Sequence, residues 1–373
     1  MSAVGEGRLI VVKVGSSTLV DDAGSLDLAF VRSLCDQVCA LLDGGTRVVV
    51  VSSGAAACGR DVLGLPARPK DLRTLQACAA AGQATLTQAY ADVLRERSVP
   101  CAQVLLTRRD VMDRDAFLNA RETLGRLLDL GAVPVVNEND TVSTAEFAFG
   151  DNDMLGALVA ALVGADLYVI CSDVEGLYTA NPQEDPAATL IERVSEVDQR
   201  LSEMAGGAGT SYGTGGMSSK LRAARAMLAA GIPTVICKGR RPGVLLEVAS
   251  GAAVGTRFEA PEGAAHEAGR KLWIGLAEVP RGSVTLDAGA TRAVLERGAS
   301  VLPVGIVATS GDYRSGDVVN VVSCSGDVVG RGVARYSSED MTRVRGLKLD
   351  VIERFLGHAA AQPAIHRDDL LVF

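Results

Sequence analysis

Two lysines and a run of glycines carry the first chemical suggestion in this chain. Lys13 stands near the end of the apolar run RLIVVKV and is followed by Gly15-Ser16-Ser17. An ammonium at the end of a buried strand is costly unless it meets an anion. Lys220 closes the segment YGTGGMSSK, residues 212–220, in which three glycines fall within four positions. Glycine loses more backbone freedom on folding than any other residue, so such a run implies a close approach to something. Glycine-rich backbone brings N–H groups onto phosphate oxygens, and a helix N-terminus behind it adds a favourable dipole. Ser218 and Ser219 offer hydroxyl donors beside it. Together these residue types fit phosphate. Each feature also has a plainer reading. The glycine run reads as a flexible surface loop with a helix cap, Asp151 and Asp153 as acidic helix-start residues, and Ser16 and Ser17 as partners for turn amides.

Other chemistries are poorly supplied. No Gly-Lys dipeptide occurs, so there is no Walker A loop, and no G-x-G-x-x-G opens a helix after the first strand. The three histidines, His266, His358 and His366, all follow residue 265. The long N-terminal part therefore has no Ser-His-Asp triad, no Cys-His dyad and no histidine metal ligand. Eight cysteines are scattered singly with no C-x-x-C pair. That predicts buried, reduced thiols in a cytoplasmic protein, not a disulfide framework or a zinc site. A net charge of −8 gives no general pull toward nucleic acid or anionic membrane. The N-terminal apolar run is short and broken by Lys13, so no signal peptide is expected. The apolar stretch MLGALVAALVGA, 154–165, is too short to span a bilayer, and no membrane partner is expected.

The elements that must hold the polar residues come from periodicity. With 373 residues, of which 48% are hydrophobic and 22% charged, the chain reads as a globular protein of two domains. Up to residue 258, strands alternate with helices. Strands are expected at 8–14, 47–52, 102–106, 132–137, 166–172 and 233–239. Helices are expected at 26–43, 70–97 and 113–130, and from about 152 and about 217. This order predicts an α/β fold with a mostly parallel sheet sandwiched by helices. Residues 259–270 are rich in Pro, Gly and Ala and read as a linker. From 271 to 373, short strands and glycine turns predict a small β-rich domain with few long helices. Ligands of open parallel sheets bind at the carboxyl ends of the strands. Five polar clusters fall there or at following helix starts: Lys13–Ser17, Ser52–Ala55, Asn137–Asp140 with Gly150–Asp153, Ser172-Asp173, and the glycine loop ending at Lys220.

The order KVGSS, SSGA, NEND, GDNDML, SD-x-x-GLYTANP, GTGGMSSK resembles the amino acid kinase family. The likeness covers essentially the whole chain, and LLTRRD-x-x-DRDAFLNAR (105–121) and VPVVNENDTVSTAE (133–146) are specific. They point to members that phosphorylate the side-chain carboxylate of L-glutamate, at the first step of proline biosynthesis, and whose C-terminal part is similar to a PUA domain. The resemblance implies ATP and L-glutamate as substrates, Mg²⁺ with the ATP, and a homo-oligomer, dimer or tetramer. It also implies feedback inhibition by proline. Lys13 and Lys220 resemble the family's lysines on the transferring phosphoryl group, and Asp153 the aspartate that orients them. Ser53, Asp140 and Asn152 resemble glutamate-binding positions, Asp140 taking the ammonium. Lys13, Ser172, Asp173, Thr214, Gly215, Gly216, Met217, Ser218, Ser219 and Lys220 resemble nucleotide-binding positions. Ser172 departs from the common threonine but keeps the hydroxyl. No protein ligand of the metal is assigned.

Two alternatives stand beside this reading. One is a different member of the family, acting on aspartate, acetylglutamate or carbamate; the PUA-like tail and the 133–146 stretch argue against it. The other is RNA binding through the tail. Residues 271–373 carry 12 basic and 12 acidic residues, without the basic face of an RNA binder.

Overall fold

Runs of β-branched residues build the centre of the N-terminal part. β1 (Leu9–Val14) is buried at every position, and β2 (Arg47–Ser52) at all but its first. Strands buried on both faces need no alternation, because helices cover the sheet above and below. With β3 (Cys101–Leu106), β4 (Val133–Glu138), β5 (Leu167–Ser172), β6 (Arg193–Val194), β7 (Thr234–Lys238) and β8 (Thr256–Phe258) they form one sheet. Its order is β3-β4-β2-β1-β5-β7-β8-β6. Neighbours are parallel except β7 and β8. The antiparallel β8 is a strand that the sequence reading did not separate. From β1 the chain first builds toward β3 and then, through β5, toward β8. The reversal opens a crevice at the carboxyl ends of the central strands.

This computed structural model describes residues 7–107, 110, 113–143, 152–182, 185–197, 201, 216–259, 280–356 and 362–372. It divides into two compact units, Met1–His266 and Glu267–Phe373. Most of the expected linker, 260–270, lies outside the described residues.

The helices of the first unit are α1 (Ser16–Leu19), α2 (Leu28–Asp43), α3 (Ala55–Val62), α4 (Leu72–Glu96), α5 (Arg114–Asp129), α6 (Asn152–Val163), α7 (Met217–Ala230) and α8 (Val244–Ala249). Aspartates start three of them. Asp27, Asp71 and Asp113 accept from the backbone N–H of Phe30, Thr74 and Ala116, satisfying donors that a helix start leaves open. α1 and α3 are each too short to show a clear helical period in the sequence. α3 packs on α4 through glycines. A Cβ at Gly59 would lie 1.7 Å from the Cys78 carbonyl oxygen, and one at Gly82 would lie 2.1 Å from that of Ala55. Backbone thus meets backbone, and α4 is drawn close under the loop that follows β2.

The second unit holds a five-stranded sheet in the order β10-β9-β11-β12-β13. Its strands are β9 (Gly282–Leu286), β10 (Ile306–Gly311), β11 (Val318–Val322), β12 (Val328–Val333) and β13 (Leu370–Val372). The chain turns between β10 and β11. There Gly316 takes φ +99° and the Asp317 carboxylate accepts from the Arg314 N–H, closing a turn. Three helices, α9 (Ala288–Arg297), α10 (Ser338–Val344) and α11 (Leu349–Leu356), accompany the sheet. Met341, Val344 and Ile352 reach its core beside Val284, Leu286 and Val321. All eight cysteines are free thiols. Six are buried and Cys101 is half-buried, but Cys324 is exposed in the turn before β12, against the expectation of uniform burial. Among the described residues no helix is long and apolar enough to cross a membrane.

Candidate functional site

The carboxyl end of β1 delivers Lys13 to the crevice, and the helix starts of α6 and α7 deliver Asp153 and Lys220. Asp153 is fully buried, and the lysines are 4% and 7% exposed. The Lys13 ammonium pairs with Asp153 Oδ1. Lys220 Nζ lies 3.2 Å from Oδ2, and the Ser219 hydroxyl donates to the same oxygen at 2.9 Å. Burial alone would push the Asp153 carboxyl up. The charges of Lys13 and Lys220, with hydrogen bonds from Lys13 and Ser219, outweigh burial and hold it below the usual carboxylate range. Its backbone is fixed as well: the Tyr168 hydroxyl donates to the Asp153 carbonyl at 2.8 Å. Gly156 makes room for that tyrosine, since a Cβ there would stand 2.3 Å from the hydroxyl oxygen. Among the described residues two ammoniums converge on this one carboxylate at the sheet edge. Such a site attracts an anion and cannot relax away from it.

Beside this trio lies a pocket of about 260 Å³ whose polar lining includes Ser53, Asn137, Asp140 and Asn152, with Arg60, Arg68 and Glu138 also in its wall. Gly54 turns the chain from β2 into α3 with φ +100°, a left-handed conformation that favours glycine. That turn presents Ser53 to the pocket. The Asn152 amide donates to Ser53 Oγ at 2.9 Å, to the Ser52 carbonyl at 3.0 Å and to Asn137 Oδ1 at 2.9 Å. Burial pushes the Asp140 carboxyl up to about 6, and the like charge of Glu138 adds to it. No basic side chain pairs with Asp140 among the described residues. A carboxylate so placed gains from a cation brought by a ligand.

On the other flank, β5 ends at Ser172 and Asp173 follows it, with the Ser172 hydroxyl donating to the Asp173 carboxylate at 3.0 Å. Gly216 precedes α7, whose first residues are Met217, Ser218 and Ser219. Ser218 is exposed, whereas the Ser219 hydroxyl is turned inward to Asp153. Thr214 and Gly215 lie outside the described residues. Among the described residues no group of three His, Cys, Asp or Glu could hold a metal ion.

The structure thus gathers Lys13, Asp153 and Lys220 at one point and Ser53, Asp140 and Asn152 around one pocket. It adds residues to which sequence reasoning gave no role. Asn137 bridges Asn152 to Gln83, and Glu138 accepts from the Ser143 hydroxyl at 2.7 Å. Asn137 stood inside a quoted polar cluster. Gln83 had no signal, being one polar residue in a long helix.

Comparison with known proteins matches residues 8–238 to the amino acid kinase family and residues 282–356 to the PUA domain. Similar relatives include the glutamate 5-kinase of Variovorax paradoxus, 46% identical over 371 residues, covering 100% of this chain and 97% of the relative. The glutamate 5-kinase of Acidovorax ebreus is 46% identical over 375 residues, with 100% and 98% covered. That of Trichlorobacter lovleyi is 43% identical over 366 residues, with 98% and 96% covered.

Proposed function

The chain belongs to the amino acid kinase family and carries a PUA domain, and from that premise we propose that it transfers the γ-phosphoryl of ATP to the side-chain carboxylate of L-glutamate. The product is γ-glutamyl phosphate, entering proline biosynthesis. We place this chemistry in residues 1–258, with 271–373 as the PUA-like domain. The observation that carries the proposal is the pairing of two unlike sites. Two ammoniums gathered on Asp153, those of Lys13 and Lys220, adjoin a pocket holding the carboxylate of Asp140, with which no basic side chain pairs among the described residues. The first suits a phosphoryl group in transfer, the second an α-ammonium.

The chemistry asks little proton transfer of the protein. A glutamate side chain, with a reference pKa of about 4.3, is already a nucleophile at neutral pH. The obstacle is repulsion between that anion and the triphosphate, so positioning and positive charge do the catalysis. Lys13 and Lys220 face the transferring group, and Asp153 fixes the distance between them. Asp140 takes the substrate ammonium while Ser53 and Asn152 orient its polar groups. Ser172, Asp173 and the Thr214–Lys220 segment hold the nucleotide. The described residues do not build a metal site of their own, and Asp153 is committed to two ammoniums. Mg²⁺ would come with the nucleotide and would supply neutralisation of phosphate charge. Proline, sharing the α-carboxylate and amino group, competes at the Asp140 pocket.

An ATP-dependent hydroxamate assay with L-glutamate, L-aspartate and N-acetylglutamate tests this reading. Turnover with L-glutamate alone is expected. Turnover with either rival in place of glutamate overturns the assignment.

A further inference from the structure

A line of side-chain amides leads away from the pocket into α4. Asn152 Nδ2 donates to Asn137 Oδ1 at 2.9 Å, and Asn137 Nδ2 donates to Gln83 Oε1 at 2.8 Å. Gln83 Nε2 donates in turn to Thr87 Oγ1 at 3.2 Å, one helical turn further along. Asn137 is 3% exposed and Gln83 8%. Gln83 does not line the pocket, yet it ends a relay that begins there.

The relay has a direction, and a backbone group sets it. The Glu138 N–H donates to Asn137 Oδ1 at 2.9 Å. A backbone N–H is a donor and nothing else. Turning the Asn137 amide over would set its NH₂ against two donors, the Glu138 N–H and the Asn152 amide. It would also set its oxygen against Gln83 Oε1. With Asn137 so oriented, Asn152 must present its NH₂ to Asn137, Ser52 and Ser53. The Ser53 hydroxyl, accepting from Asn152, keeps its own hydrogen for a ligand acceptor. The Asn152 carbonyl oxygen has no partner among the described residues and is left to receive a ligand donor. A neutral relay thereby writes a donor at Ser53 and an acceptor at Asn152 into a pocket that also holds Asp140. That pattern complements an amino acid zwitterion.

We propose that Gln83 is a positioning residue for the amino acid substrate, acting through Asn137 to hold Asn152 and Ser53 in this donor–acceptor pattern. The inference rests on the phosphotransferase reading given above. Among the described residues Gln83 supplies the acceptor for the Asn137 NH₂. Without it a buried donor is stranded, and Asn137 gains by rotating or by drawing in water. The hydrogen bonds of the Gln83 side chain run to Asn137 and Thr87 and not to the Lys13–Asp153–Lys220 trio, so the effect is expected on the amino acid side of the reaction.

The test is steady-state kinetics on the full chain with Gln83→Leu, Gln83→Glu and Thr87→Val, the unaltered protein run in parallel. Gln83→Leu is expected to raise KM for L-glutamate about tenfold, the loss typical of a stranded buried donor, with KM for ATP within about twofold. Gln83→Glu keeps an acceptor for Asn137 and is expected to restore KM for L-glutamate to within about threefold of the unaltered protein. Thr87→Val, which only loosens the far end, is expected to give a smaller rise of the same kind and covers the case in which Gln83→Leu does not fold. Unchanged KM for L-glutamate in Gln83→Leu, or an equal rise for ATP, overturns the positioning role. So does failure of Gln83→Glu to rescue. No glutamate-dependent turnover by the unaltered protein instead overturns the functional reading, and this inference with it.

Discussion

Asp153 and Asp140 are two carboxylates withdrawn from solvent at the same edge of one sheet, and the protein pushes them in opposite directions. Asp153 is held below the usual range although it is fully buried, because two ammoniums and a hydroxyl converge on it. Asp140 is raised to about 6, because burial and the like charge of Glu138 act on it and no basic side chain pairs with it among the described residues. Desolvation is common to both; the partner decides the sign. On the proposed reading, the end of the site that meets the phosphoryl group has its Lys13–Asp153–Lys220 pairing formed before any ligand arrives. On the same reading, the amino acid end waits for a ligand ammonium to pair with Asp140.

The sharpest way to break this contrast is at Asp153. Asp153→Ala leaves two ammoniums facing each other in a buried site, and breaking a buried pair costs about 3–5 kcal/mol. Chemical denaturation should show a loss of that order, together with loss of turnover. Lys220→Ala acts on the same trio more gently, since Asp153 retains Lys13 and Ser219. The expected loss is about 10²–10³ in kcat, the typical cost of one preorganised donor, with the circular dichroism spectrum retained. Near-normal turnover would remove Lys220 from the mechanism.

At the other end, Asp140→Ala should raise KM for L-glutamate by about 10- to 100-fold, as for loss of a charged hydrogen bond, while KM for ATP stays put. An equal rise for both substrates makes the residue structural. The pH dependence follows in sign. Asp140 meets an ammonium only when ionised, so affinity for glutamate is full above about pH 6 and falls as pH drops through that value. Asp140→Asn should flatten this limb of the KM profile. The same variant sharpens the contrast through stability. A carboxyl whose folded pKa lies above its unfolded value opposes folding once it ionises, so it weakens the free protein as pH rises through about 6. Asp140→Asn should therefore raise Tm slightly at neutral pH in the absence of ligand, and differential scanning at pH 5 and pH 8 measures it. A Tm that falls instead would mean Asp140 already has a partner.

Much of this architecture was legible because it is written in local pattern. RLIVVKV and RVVVVS are runs that only a doubly covered sheet accommodates, and the polar residues at their ends are where parallel strands present ligand sites. Lys13 was conspicuous for the same reason, as a charge in an apolar run. α3 was not legible, being short and shaped by the Gly59–Gly82 contact with α4, a contact between positions far apart in the chain. The helices of the second unit were hidden similarly, since α10 and α11 are too short for their period to stand out from glycine turns.

The residue types that do the chemistry, the parallel order that brings them to one edge, and the absence of an imidazole before residue 265 were set by the sequence itself, because composition and short-range periodicity are local properties. Tertiary structure alone decided which charges meet. It placed Lys13, Asp153 and Lys220 together from three separate elements, and turned Ser219 toward Asp153 while leaving Ser218 exposed. It also ran the relay from Asn152 through Asn137 to Gln83 across intervals of 15 and 54 residues. The opposite shifts of Asp153 and Asp140 belong to the same class. Both are aspartates beside an asparagine in the chain, and only burial and the partners brought by the fold distinguish them.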